Sequence, residues 1–90
     1  MYLIKIFKVE SEKIILFRFS NGTIQAHDYY KNLHLLLTEN DIVMIEIENG
    51  REINKIVEPK DNYAKCPNKM VEIYLQVKRI INKINSKKAN

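Results

Sequence analysis

The sequence predicts an α+β domain: a six-stranded antiparallel β-sheet with one C-terminal α-helix packed across it. Three observations lead there. Apolar residues alternate with period two over successive short stretches as far as Val57. Two Asn-Gly pairs, Asn21-Gly22 and Asn49-Gly50, interrupt that alternation where a two-residue type I′ hairpin turn would fall. From Pro67 onward the apolar period changes to 3.6.

Each element follows from local chemistry. Tyr2 to Val9 has apolar residues on both faces, which suits a strand covered on one side and partly on the other. Glu10-Ser11-Glu12 is a short polar connection. Lys13 to Ser20 and Thr23 to Tyr30 form the second and third strands around Asn21-Gly22, with φ > 0 expected at both turn residues. Leu33 to Leu37 is too short for a helix between its polar breaks and reads as the fourth strand. Ile42 to Glu48 alternates most clearly, with Val43, Ile45 and Ile47 on one face and Met44, Glu46 and Glu48 on the other. Arg51 to Val57 returns after Asn49-Gly50, so that Glu46 or Glu48 is expected to pair with Arg51 or Lys55 across the hairpin. Glu58-Pro59 ends the sixth strand, because proline has no N–H for the ladder. Lys60 to Lys65 reads as a polar linker around Tyr63.

Pro67 stands near a helix start, where its missing N–H costs nothing. Met70, Ile73, Tyr74, Val77, Ile80, Ile81 and Ile84 then form an unbroken helical stripe. Such a stripe must be buried, and the open sheet is the surface available. Val71 and Leu75 lie beside the stripe on an adjoining flank, bordered by Lys78 and Asn82. Val71, Leu75 and Lys78 are therefore the candidate partner-binding residues, with apolar burial for affinity and Lys78 at a polar rim.

Ninety residues suit one domain, expected over residues 1–86 with a basic disordered tail at 87–90. The formal net charge is +4 and is uneven: Asn68 to Asn90 holds six Lys or Arg against the single acid Glu72. A basic C-terminal element can meet nucleic acid, an anionic membrane or an acidic partner, or simply be a solvated helix face. The single Cys66 has no internal disulfide partner, which suits a reducing compartment. Lys5 and Lys8 interrupt the apolar N-terminus, which fits neither a signal sequence nor a membrane span.

No catalytic constellation is visible. His27 and His34 have no cysteine or acidic partner at metal-ligand spacing, and no metal or cofactor is expected. His27 and Asp28 are neighbours on a strand and point to opposite faces. The two glycines are too far apart for a phosphate-binding loop. The sequence points to a binding module rather than an enzyme.

Phe19 to Gln25, Phe-Ser-Asn-Gly-Thr-Ile-Gln, is followed by a Leu-rich strand and a strong strand hairpin. This order resembles the polo box, the C-terminal targeting module of polo-like kinases. The resemblance spans roughly Leu3 to Ile84 and implies six antiparallel strands with a helix across them. It also implies non-catalytic targeting of a Ser/Thr kinase and pairing of boxes. In mitotic members, a His and a Lys before the fourth strand of the second box bind phosphopeptide. Aligned without gaps, those positions are Asn32 and His34 here, and Lys31 is the nearest basic side chain. Lys31 and His34 are thus the phosphopeptide candidates, and the first box's Trp has no counterpart. The chain most resembles the single C-terminal box of the centriole-duplication polo-like kinases. That likeness implies a cytoplasmic module at the centriole or centrosome, binding a helical segment of a centriole-assembly scaffold and forming homodimers.

A second reading is a small basic β-barrel for nucleic acid. Tyr2, Phe7, Tyr29 and Tyr30 would supply stacking faces. The basic charge, however, lies on the helix rather than on the strands.

Overall fold

The computed structural model describes the backbone of residues 1–89 and side chains as far as Ser86. The tail expected at 87–90 therefore lies outside the residues described in full. Six strands, β1 (Leu3–Val9), β2 (Ile14–Phe19), β3 (Ile24–Asp28), β4 (Leu33–Leu37), β5 (Asp41–Glu48) and β6 (Arg51–Pro59), are followed by one helix, α1 (Asn68–Ala89). The strands pair antiparallel in sequence order, so the sheet is a meander with β1 and β6 as its edges. The fold is the α+β class expected, and the sheet is open rather than closed into a barrel.

The connections are tight because the chain places left-handed residues where turns need them. Glu10–Glu12 forms a 3₁₀ turn that ends on Lys13 at φ 59°. Asn49 and Gly50 are both at positive φ, 52° and 75°, giving the type I′ turn with Glu48 opposite Arg51. The first Asn-Gly turn differs from expectation. Gly22 has φ 85°, but Asn21 is not in the left-handed region. Phe19 N–H donates to Thr23 O and Gly22 N–H to Phe19 O, each at 3.0 Å, so the loop is a tight turn closed by a left-handed glycine. The reason is local. Asn21 Oδ1 accepts the Thr23 N–H at 3.0 Å, and the Ser20 N–H donates to Tyr2 O at 2.8 Å. The polar side chain and the edge strand both favour the longer loop.

The cross-strand register sorts side chains onto two faces. On one, the row Phe7–Leu16–Ala26–Leu35–Met44–Ile56 runs across all six strands. Helix α1 covers this face. Met70, Ile73, Tyr74, Val77 and Ile80 are buried against Ile14, Leu16, Ala26, Leu35, Ile42 and Met44. Each fully buried aliphatic side chain contributes roughly 1.5–3 kcal/mol. Cys66, just past the polar linker expected at Lys60 to Lys65, is also in this core.

Two ion pairs tie the helix to the sheet's ends. Lys69 Nζ lies 3.3 Å from Glu46 Oε2, and Arg79 Nη2 donates to Glu12 Oε1 at 2.6 Å. Asn54 Nδ2 also donates to Glu46, at 3.3 Å. Glu46 is therefore engaged by the helix and Asn54, not by Arg51 or Lys55. A bulge between Glu46 and Ile47 sets the register that places Asn54 opposite it.

Candidate protein-docking surface

Among the described residues, no element lies over the face of the sheet opposite α1. Two complete rows cross it. One is Ile6–Phe17–Gln25–Leu36–Val43–Val57, and the other is Lys8–Ile15–His27–His34–Ile45–Lys55. The inner aliphatic and aromatic side chains are half-buried by their neighbours, while Ile6 and Val57 at the sheet edges are 53% and 52% exposed. This face is therefore a broad apolar surface with lysines at two corners.

At its centre the imidazoles of His27 and His34 stack, with centroids 4.2 Å apart and planes 6° from parallel. Gln25 Nε2 lies 3.2 Å from His34 Nδ1, so the Gln25 amide donates and that ring nitrogen accepts. Burial, and secondarily the charge on His27, holds His34 below its ordinary value. The open face thus favours the neutral form of the stacked His34 ring.

The sequence-derived candidates separate in space. His34 lies on the open face, whereas Lys31 is exposed in the turn before β4, where its N–H donates to Asp28 Oδ1 at 2.9 Å. The same carboxylate accepts the Tyr30 N–H at 3.1 Å, which satisfies the buried Asp28. No hydrogen bond or ion pair joins Lys31 to His34 among the described residues.

On α1, Val71 packs against the core and widens the buried stripe. Leu75 is 48% exposed. Lys78 Nζ lies over the Tyr74 ring at 5.4 Å. Leu75 and Lys78 share a shallow outer surface with Arg79, Asn82 and Lys83, so that flank is mostly basic rather than apolar.

The aromatic set of the nucleic-acid reading is dispersed. Phe7 packs under the helix, while Tyr29 and Tyr30 lie in the β3–β4 turn. Among the described residues no group of three or more His, Cys, Asp or Glu could hold a metal ion. No described helix is long and apolar enough to cross a membrane.

Sequence reasoning missed the open face as a site. The signal was present: Ile14-Ile15-Leu16-Phe17 and Ile42-Val43-Met44-Ile45 are apolar on both faces, as in a strand covered on two sides. Among the described residues only one side is covered. Comparison with family models, with curated proteins and with solved structures finds no match.

Proposed function

We propose that this chain is a non-catalytic protein-interaction and targeting module of polo-box type, which pairs through the open face of its sheet with a second copy of itself. In this reading it localises or regulates a kinase in the cytoplasm, at centrioles or centrosomes. The observation that carries it is the pair of rows left uncovered opposite α1 among the described residues, one almost wholly apolar and one with Ile15 and Ile45 flanking the stacked histidines. Six strands about 4.8 Å apart give a face of several hundred Å², the scale at which an apolar patch marks an interface. Two such sheets pack face to face about 10 Å apart. The second row reads Lys-Ile-His-His-Ile-Lys from edge to edge. That near-palindrome suits a two-fold contact, in which one patch meets its own copy with lysines at the rim. The Phe19–Gln25 segment and the strand order support the polo-box likeness.

Sedimentation of the chain across a micromolar concentration series tests the pairing. A dimer is expected for the native chain, and a monomer with unchanged circular dichroism for Ile45→Lys. A native chain that stays monomeric throughout would remove the pairing. A fluorescently tagged chain is expected to concentrate at centrioles of dividing cells, and uniform cytoplasmic signal would remove the targeting role.

A further inference from the structure

The half-buried rings of His27 and His34 occupy the middle of the open face. In the row Lys8–Ile15–His27–His34–Ile45–Lys55, the midpoint falls between the two imidazoles. A two-fold axis that lies between two paired sheets and crosses the row at that midpoint sets His27 of each copy against His34 of the other. The imidazoles of both copies then share the centre of the contact, with Ile15 and Ile45 around them and the lysines at its rim.

The surroundings of the stack supply contacts but no counter-charge. The ring centroids are 4.2 Å apart, so a proton on each ring would bring two like charges within that distance. Tyr29 meets His27 edge-on, with centroids 6.5 Å apart. Gln25 Nε2 lies 3.2 Å from His34 Nδ1, which makes that nitrogen an acceptor. A proton there would set donor against donor until the amide turned over. The adjoining strands bring Ile15 and Phe17 from β2 and Val43 and Ile45 from β5, none of them titratable. Charged groups stand further off: Lys8 on β1, 3.5 Å from Glu10, and Lys55 and Glu52 on β6. Asp41 begins β5, and Lys13 and Lys31 lie in turns. Among the described residues no carboxylate forms an ion pair with either imidazole.

We infer that the His27–His34 stack is a proton switch on self-association: two copies pair while the imidazoles are neutral and part when the stacks take up protons. This rests on pairing through the open face and adds its regulation. Closing two such faces removes water from the rings. A charged imidazole enclosed there, among others like it and without a counter-ion, is costly. Burial already lowers His34 in the single chain, with the charge on His27 as the lesser cause, and pairing deepens that burial. Proton binding and pairing are therefore coupled, and each weakens the other by the same factor. The sign follows from linkage. A group kept neutral in the pair supports pairing above its value in the single chain, and that support fades as pH falls. One pH unit below its ordinary value of about 6.5, an imidazole is protonated about ten to one, so shedding one proton per copy weakens pairing about tenfold for each copy.

The test is sedimentation of the full chain at several concentrations, at about pH 7.5 and about pH 5.5, with circular dichroism at each pH. The native chain is expected to pair at the higher pH and to show a dissociation constant at least about tenfold larger at the lower one, with its fold kept. In the double change His27→Gln, His34→Gln the dissociation constant is expected to stay flat over the same range, whatever its absolute value. His34→Gln alone serves if the double variant fails to fold, and the pH dependence should then be reduced. Imidazole NMR of the native chain is the second measurement, and it decides the matter if acid unfolds the chain. The histidine titrations should move to lower pH as the concentration is raised from the monomeric to the paired range. A folded native chain that pairs equally at both pH values overturns the switch and leaves the pairing standing. Equal loss of pairing at low pH in the native and Gln chains, or histidine titrations that ignore concentration while sedimentation shows a dimer, also overturns it. A native chain that is monomeric at both pH values removes the pairing and the switch together.

Discussion

His27 and His34 stack directly opposite each other in the β3–β4 pair, 4.2 Å between ring centroids. Two parallel imidazoles at that distance are poorly suited to carrying two charges. Burial, then the charge on His27, lowers the value of His34 from about 6.5. Below that pH the unfolded chain takes up a proton at this position more readily than the folded one. Stability contributed by neutral His34 is thus fully present above about 6.5 and is lost as pH falls through the lowered value. The expected outcome is a thermal midpoint that drops as pH falls below about 6.5, with a shallower drop in His34→Gln. Identical profiles for the two proteins would show that this ring does not sense pH.

The glycines at 22 and 50 give a test of backbone conformation without steric interference. Both have positive φ, and beyond the adjoining residues no atom lies within 4 Å of the place a Cβ would take at either. Substitution by Val should therefore cost backbone strain alone, about 1–3 kcal/mol at each site. D-alanine, introduced by chemical synthesis, should be tolerated at both. Urea midpoints for the four variants check this. Equal loss from the L- and D-residues would mean that packing rather than φ governs these positions.

Much of the fold is legible in the sequence because the chain's local signals agree with one another. The Ile42–Glu48 alternation, the Asn49-Gly50 turn and the Met70–Ile84 stripe each correspond to an element or a buried face in the structure. The Asn21-Gly22 turn departs from the type I′ expectation because its dipeptide is compatible with more than one loop length. Tyr2 and Thr23, outside the dipeptide, decide the outcome through their backbone hydrogen bonds. Glu46 departs from its expected pairing because its partner Lys69 is 23 positions away, beyond any hairpin argument. The open face is hardest to read. Periodicity shows that Ile15, Phe17, Val43 and Ile45 can be covered, but not whether the chain itself covers them.

Phosphate recognition has a clear expected outcome. Lys31 lies in an exposed turn, while the His34 ring is stacked and accepts from Gln25 at 3.2 Å. Neither arrangement forms the pair of convergent donors that a phosphate would need. Phosphorylated and unphosphorylated versions of one peptide should therefore bind equally in calorimetry. A preference of about tenfold that disappears in Lys31→Ala would place a phosphate site at the β3–β4 turn.

The two apolar residues on the helix flank should behave differently when changed singly. Val71 contacts the buried cluster, whereas Leu75 is 48% exposed beside Lys78 and Arg79. Val71→Glu puts a carboxylate at the core edge and should cost more than about 1 kcal/mol. Leu75→Glu removes little buried area and should stay within about 0.5 kcal/mol of the native chain. Its new carboxylate lies three positions before Lys78 and four before Arg79, which favours the helix slightly. Urea denaturation of the two single variants measures the difference. If Leu75→Glu folds normally and leaves self-association intact, the outer flank is solvated surface. Partner recognition then falls to the open sheet face. If Leu75→Glu instead abolishes self-association while the fold holds, the outer flank belongs to the partner site, and Leu75 and Lys78 act together as the sequence suggests.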